Sequence, residues 1–123
     1  LNAPQRARVL AASTGEERPL PDAPLPRLLA ERYAAGPSVP ALIDAGNSLL
    51  YEEFDRRVGR LAALLRDRGV GPETRVAVAL PRSAELVVAL HAVQRAGGAY
   101  VPVDPDHPAD RVAHMLTDAD PRL

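Results

Sequence analysis

The sequence predicts an α/β fold, in which a small hairpin and a helix precede one βαβ unit of a parallel sheet. Residues 75–80, an Arg followed by five apolar residues, show no polar alternation, as expected of a strand covered on both faces. A helix that is apolar around most of its circumference follows at residues 86–93, and residues 98–103 form a second strand. Strand, helix and strand fit within about 30 residues, the length of one right-handed βαβ crossover.

Capping residues predict where the elements of this unit end. Ser83 follows the break made by Pro81 and is the predicted N-cap of the helix, because its hydroxyl can accept a hydrogen bond from the first turn. Gly97 ends the same helix. Pro108 begins a last helix, and a further parallel strand is expected at residues 121–123, so the predicted sheet is incomplete on its C-terminal side. The apolar face of the last helix comprises Val112, Met115, Leu116 and Ala119.

The N-terminal segment divides into a helix, a linker and a second helix. Residues 4–12 predict a short helix with Pro4 at its first position, where the missing N–H costs little. Residues 13–26 include four prolines and predict an extended linker. Apolar spacing from Leu25 onward predicts a helix that ends at Gly36.

A hairpin and an amphipathic helix come next. Residues 41–43 and 48–50 flank a turn at residues 45–47, which predicts a small hairpin. The helix begins at Tyr51 and ends before Gly69, its predicted C′ residue. Its apolar stripe comprises Tyr51, Phe54, Val58, Leu61 and Leu65.

Composition excludes several classes of function. The 15 basic and 16 acidic residues nearly cancel, so we expect no nucleic-acid or membrane partner. All the basic residues are Arg, which excludes a Schiff-base Lys or a phosphate-loop Lys in this chain. The absence of Cys excludes disulfides and is consistent with a cytoplasmic protein. No apolar run exceeds five residues, whereas a membrane span needs about 20.

A cluster of polar residues near the end of the chain is the densest set of potential metal ligands. Asp110 and His114 are four residues apart and would share one helix face. However, Asp-Pro-Asp-His-Pro at residues 104–108 is also ordinary turn chemistry at the exit of a strand. We therefore interpret the cluster as structural and predict no metal site. Its members are Asp104, Asp106, His107, Asp110 and His114.

The remaining candidates also have structural interpretations. The glycines of residues 69–71 and 97–98 follow helices and are predicted terminators, not phosphate loops. His91 lies on an apolar helix and is predicted to be a core or boundary residue. The acidic pairs 16–17 and 52–53 are adjacent in sequence, and adjacent residues on a helix point to different faces, so neither forms an acid–base pair. We predict no catalytic, cofactor-binding or metal-ligating residue. No nucleophile-elbow motif surrounds Ser13, Ser38, Ser48 or Ser83.

Two stretches resemble the first two core motifs of the amino-acid adenylation domains of nonribosomal peptide synthetases, which are adenylate-forming enzymes. Residues 49–54, Leu-Leu-Tyr-Glu-Glu-Phe, are similar to the motif Leu-Thr-Tyr-x-Glu-Leu. Residues 94–105, Gln-Arg-Ala-Gly-Gly-Ala-Tyr-Val-Pro-Val-Asp-Pro, are similar to Leu-Lys-Ala-Gly-x-Ala-Tyr-Val-Pro-Leu-Asp-Pro. The second motif is the more specific, because general acyl-CoA synthetases usually lack it. Leu50 departs from the family, because it replaces a Thr that would cap the helix.

The resemblance implies a fold, a domain organisation and a function. It identifies residues 25–123 as the truncated N-terminal portion of an adenylation domain, and residues 1–24 as an interdomain linker that follows a condensation domain. It implies ATP-dependent formation of an aminoacyl adenylate with Mg²⁺, then transfer to the phosphopantetheine thiol of a carrier protein. The upstream condensation domain, the downstream carrier protein and a small accessory protein are the implied partners, in the cytoplasm.

The residues that carry the chemistry of this family have no counterpart in the chain. The family's phosphate-binding loop, amino-acid pocket, ribose-binding Asp and catalytic Lys come after the second motif. No site residue carries over, so we expect the chain alone to be inactive and to bind no cofactor.

Two alternatives remain open. The segment could be a non-catalytic docking or linker module between synthetase domains, for which the Pro-rich residues 19–26 are the main support. It could instead be part of an acyl- or aryl-acid-adenylating ligase. An independent doubly wound nucleotide-binding protein is disfavoured, because no Gly-rich loop follows Leu80 or Val103.

Overall fold

The computed structural model describes residues 2–16, 18–44 and 46–123. Helices and strands alternate in the mixed α/β order that the sequence predicts. Within the described residues, no helix has the length and apolar character needed to cross a membrane. The elements are α1 (Ala3–Ser13), α2 (Leu25–Ala35), β1 (Pro40–Asp44), β2 (Asn47–Leu50), α3 (Tyr51–Asp67), β3 (Arg75–Val78), α4 (Ala84–Ala96), β4 (Ala99–Pro102) and α5 (Ala109–Ala119).

The predicted βαβ unit is confirmed. Strands β3 and β4 pair in parallel, with Arg75 opposite Ala99 and Val78 opposite Pro102, and α4 connects them. The prediction that β3 is covered on both faces is wrong, because its side chains alternate. Val76 and Val78 are buried, whereas Ala77 between them is half-buried. Among the described residues, helices α3 and α4 supply most of the core, and α5 has no buried residue.

The two edges of this sheet differ in their capacity to pair. On the free edge of β3, Arg122 N–H donates to the Arg75 carbonyl and Ala77 N–H donates to the Leu123 carbonyl, both at 2.8 Å. Residues 121–123, where a further strand is predicted, therefore lie beside β3 but form no strand themselves. Successive N–H groups of β4 point alternately toward β3 and toward the outer edge of the sheet. Position 102 faces the outer edge, and because Pro102 has no N–H, pairing of another strand on that edge is weakened. The sheet is suited to grow from β3.

The predicted hairpin is also confirmed. Strands β1 and β2 pair antiparallel, with Asp44 opposite Asn47. Ala45, part of the predicted turn, lies outside the described residues, and Gly46 has the left-handed φ of +85° that a tight turn requires. The Asp44 carboxylate fixes the hairpin to the unit behind it, because its Oδ2 accepts the Ala84 N–H of α4 at 3.1 Å.

Helices α3 and α4 form the centre of the core. In α3, Phe54, Val58 and Ala62 are the buried residues. Leu61 and Leu65, which the predicted stripe included, are only half-buried. Helix α4 packs against the face of α3 that carries the small side chain of Ala62. The buried core comprises Tyr33, Phe54, Val58, Ala62, Val70, Val76, Val78, Val88, Ala89, Ala92, Val93 and Ala96.

Two predicted helix starts require correction by one residue, and the C-terminal bound of the predicted linker requires correction by two. Helix α1 begins at Ala3, so Pro4 is its second residue, and Asn2 forms a capping box with Gln5 at 3.0 Å. Helix α2 begins at Leu25, so Pro26 belongs to its first turn and not to the linker. A proline is tolerated there, because first-turn N–H groups have no intrahelical acceptor. Pro108 is the N-cap of α5, which starts at Ala109.

Candidate functional site

A cavity of about 400 Å³ opens at the carboxyl ends of β3 and β4. This is the edge at which parallel α/β sheets bind their ligands. Its walls combine an apolar interior with a small number of polar groups, namely one arginine, one histidine and two aspartates. The lining residues are Val78, Leu80, Pro81, Arg82, Leu86, Pro102, Val103, Asp104, Pro105, Asp106, His107 and Met115.

The aspartates of this cavity form a turn. Asp104 Oδ1 accepts the Asp106 N–H at 3.0 Å, and the Asp104 carbonyl accepts the His107 N–H at 3.1 Å. The His107 imidazole is 4.0 Å from the Asp104 carboxylate, and Asp110 and His114 are both exposed on α5. Across the part of the chain that the structure describes, no three His, Cys, Asp or Glu side chains are grouped closely enough to hold a metal ion.

The glycines end helices, as predicted. Gly69 and Gly97 have φ values of +83° and +93° and follow α3 and α4. A phosphate loop would instead precede a helix and present its N–H groups to the anion. Gly98 allows a close approach, since a Cβ there would be 2.6 Å from the Val70 side chain. Gly69 and Gly97 therefore terminate helices and do not belong to a phosphate loop.

His91 lies at the boundary of the core, as predicted. Its Nδ1 is 2.5 Å from the Tyr33 hydroxyl, and its ring packs edge-on against Phe54, with 5.1 Å between ring centres. Burial lowers the pKa of His91 below its usual value, and the positive charge of Arg95 lowers it further. Burial raises the pKa of Tyr33 to about 12, although Arg95 opposes this shift.

In each of the two adjacent acidic pairs, one glutamate forms an ion pair with a nearby arginine. Glu53 at the start of α3 pairs with Arg56, and with Arg57 at 2.8 Å. Glu16 pairs with Arg18 at 3.2 Å on the exposed N-terminal segment, and Glu17 lies outside the described residues. Glu16, Glu52 and Glu53 do not line the cavity at the end of the sheet.

Two polar contacts of the structure were missing from the sequence-based prediction. Arg95 Nη2 contacts Asp55 Oδ1 at 2.5 Å, and its guanidinium lies 5.3 Å from the centre of the Tyr33 ring. Asp44 caps α4 from the hairpin. Both contacts join residues 40 positions apart, and local spacing carries no signal for such pairs.

Comparison with known proteins shows which family the sequence matches. The AMP-binding enzyme family matches residues 29–123. A dimodular nonribosomal peptide synthase of Bacillus subtilis strain 168 is 48% identical over 102 residues, which cover 83% of this chain and 4% of that protein. Enterobactin synthase component F of Escherichia coli K12 is 46% identical over 114 residues, covering 93% of this chain and 9% of that protein.

Solved structures agree with these sequence relatives. The nonribosomal peptide synthetase FmoA3, in its AMPPNP-bound form, matches with a TM-score of 0.83 and 30% identity over 94% of this chain and 12% of that one. The N-terminal subdomain of Klebsiella oxytoca NpsA, in complex with 3-hydroxyanthranilyl-AMSN, matches with a TM-score of 0.74 and 27% identity over 79% of this chain and 25% of that one. The chain thus spans a small share of each relative. It belongs to the AMP-binding enzyme family, as an N-terminal portion of a nonribosomal peptide synthetase adenylation domain.

Proposed function

We propose that the protein carrying this chain activates an amino acid with ATP and loads the product onto a carrier-protein thiol. In this reaction an oxygen of the amino-acid carboxylate attacks the α-phosphorus of ATP, pyrophosphate leaves, and Mg²⁺ neutralises phosphate charge. A phosphopantetheine thiolate then displaces AMP from the acyl carbon. The observation that carries the proposal is 48% identity to a dimodular nonribosomal peptide synthase over 83% of the chain.

In this proposal the chain has a structural role in the adenylation domain. Its strands β3 and β4 and helix α4 form a unit with the cavity at one end, whereas the Asp104 carboxylate is engaged in a turn, that of Asp44 in a helix cap and that of Glu53 in ion pairs. Preorganised donors around the triphosphate have to come from the rest of the domain. The chain alone is therefore inactive in our proposal.

Residues 1–24 are proposed to be the linker that follows a condensation domain. Helix α1 buries none of its residues, and the described part of the Pro-rich stretch after it contains no helix or strand, with Leu20 89% exposed. The family match begins only at residue 29. The condensation domain, the carrier protein and a small accessory protein are the proposed partners.

A second candidate function is activation of an aryl acid. It is favoured by the similarity to the NpsA subdomain, which was solved with 3-hydroxyanthranilyl-AMSN and with anthranilyl-AMSN. Both functions share the adenylation step and differ only in the acid that enters the pocket.

Exchange of pyrophosphate into ATP tests these proposals. A longer protein that continues beyond Leu123 through the whole domain is assayed with each common amino acid and with a panel of aryl acids, and the 123-residue chain serves as the matched control. We expect exchange with one amino acid or a few related ones, and none with the control. Exchange with aryl acids alone would support the second candidate. If no acid supports exchange, both candidate functions would be overturned and a docking module would be favoured.

A further inference from the structure

Helix α2 is held to the core mainly through one residue. Of its 11 residues, Tyr33 alone is buried, with 5% of its surface exposed. The helix has no side-chain N-cap and begins directly after the Pro-rich segment. Its one ion pair among the described residues, Arg27 with Glu31 at 3.2 Å, lies within the helix and is largely exposed. The half-buried Leu29 also packs against the core, so Tyr33 is the main contact of α2 with the core and Leu29 is the lesser one.

Tyr33 enters a mixed aromatic and polar cluster formed by all three helices of the core. Phe54 of α3 meets its ring edge-on at 5.5 Å between centres. From α4, His91 contacts the Tyr33 hydroxyl, and the guanidinium of Arg95 lies over the Tyr33 ring. Asp55 of α3 in turn holds Arg95.

Among the charged side chains near His91, one acts on it more strongly than the others. Arg95, one turn away on α4, is the charge that acts on it. From α2 it faces the neutral Tyr33, because Arg32 lies over the Tyr51 ring instead. From α3 the nearby carboxylate is Asp55, which Arg95 already engages. The charged residue of β1, Asp44, caps the far end of α4, and Arg75 of β3 is exposed at the start of its strand.

We propose that the Tyr33–His91 contact is a pH-sensitive latch, and that protonation of His91 releases α2 from the core. A neutral His91 accepts the Tyr33 O–H on Nδ1. A protonated ring would place a second cation beside Arg95 in a site that Tyr33 and Phe54 shield from water. Undocking of α2 removes the Tyr33 ring and lets water solvate the imidazolium.

The sign of the pH dependence follows from linkage. In the docked state the pKa of His91 is lowered, by burial first and by Arg95 second, so the undocked state binds more protons. Docking is therefore strongest above the usual histidine pKa of about 6.5 and weakens as pH falls from there to the docked pKa. Below the docked pKa no further weakening occurs.

Release of α2 would lengthen the segment that leads into the domain. The helix would join the Pro-rich stretch before it and increase the reach of the chain by its 11 residues. This consequence rests on the proposed linker role of residues 1–24, whereas the latch itself does not.

Hydrogen–deuterium exchange on the full chain at pH 7.5 and 5.5, corrected for intrinsic rates, tests the latch. We expect α2 to lose protection at the lower pH while α3 and α4 keep theirs. His91→Gln retains an acceptor for Tyr33 but cannot titrate, so it should abolish this pH dependence. His114→Gln, at an exposed position, is the matched control and should leave it unchanged. Tyr33→Phe removes the hydroxyl contact, so it should reduce α2 protection about tenfold at pH 7.5 and by much less at pH 5.5, where protonation already releases the helix.

Two outcomes would overturn the proposal. One is an unchanged pH dependence of α2 in His91→Gln, and the other is a simultaneous loss of protection in all three helices. If His91→Gln fails to fold, histidine titration by NMR of the wild-type chain decides. The latch requires that the α2 amide shifts follow the His91 midpoint, and that this midpoint lie below the usual histidine pKa of about 6.5.

Discussion

Helices α3 and α5 are both amphipathic, but only α3 belongs to the core. Helix α3 buries Phe54, Val58 and Ala62 against α4 and α2, whereas α5 has an equally clear apolar face and no buried residue. Met115 on that face is half-buried and lines the cavity at the end of the sheet. The periodicity of a helix therefore predicts which face is apolar, but not whether a partner covers it.

The two helices are also fixed by different means. Helix α3 ends in a glycine cap, and its last turn is followed immediately by the buried Val70. Helix α5 lacks a side-chain N-cap, and its C-cap Asp120 adopts a left-handed φ of +42°. Its position depends on residues 121–123, which pair with β3. We infer that α3 is stabilised by packing and α5 by the segment that follows it.

The largest expected difference between these helices comes from truncating one apolar side chain in each. Phe54→Ala should lower the free energy of unfolding by about 3–5 kcal/mol, because Phe54 is 2% exposed and contacts both Tyr33 and His91. Met115→Ala, on the half-buried face of α5, should cost only about 1 kcal/mol. Urea unfolding, with the m-value checked for each variant, measures both.

Equal losses in these two variants would contradict the comparison, because they would mean that α5 is as well packed as α3. If Phe54→Ala does not fold, Phe54→Leu provides a smaller change at the same position, and its loss should still exceed that of Met115→Ala.

A smaller effect is expected where α3 meets the C-terminal segment. Gly69→Ala should cost about 1–2 kcal/mol, since its φ of +83° disfavours any side chain. A Cβ there would also lie 2.6 Å from the Arg122 guanidinium, which donates to the Arg68 carbonyl at 3.1 Å. Gly71→Ala is the matched control, because its Cβ would meet nothing within 4 Å.

The contribution of Arg122 can be separated in a double-mutant cycle. In an Arg122→Ala background, Gly69→Ala should cost less, because only the backbone strain remains. The same cost in both backgrounds would show that the contact between the C-terminal segment and α3 contributes nothing to stability. This cycle is measured by urea unfolding of the four proteins.

Local patterns in the sequence predict most of this fold. The βαβ unit, the hairpin and the caps at Ser83 and Gly97 follow from residues that lie within one element or its ends. The second core motif, at residues 94–105, predicts the family that the comparisons show. These features depend on short-range spacing, turn chemistry and backbone sterics, all of which a single sequence carries.

Contacts between distant residues could not be predicted in this way. The Tyr33–His91 contact joins residues 58 positions apart, and the Asp55–Arg95 pair joins residues 40 apart. Each depends on how α2, α3 and α4 pack, and that packing is decided by the whole core. The same limit explains why Leu61 was placed in the stripe of α3 while Ala62 is the buried residue.

The smallest expected effect separates capping from packing in α3. Leu50 is the N-cap and provides no side-chain hydrogen bond, although Glu53 stands where a capping box would place it. Leu50→Thr adds an acceptor for the first turn at a position that is 40% exposed. It should raise the free energy of unfolding by about 0.5–1 kcal/mol. Leu50→Val is the matched control, because Val has the shape of Thr without its hydroxyl. If urea midpoints of the Thr and Val variants coincide, α3 gains nothing from a cap and depends on packing alone.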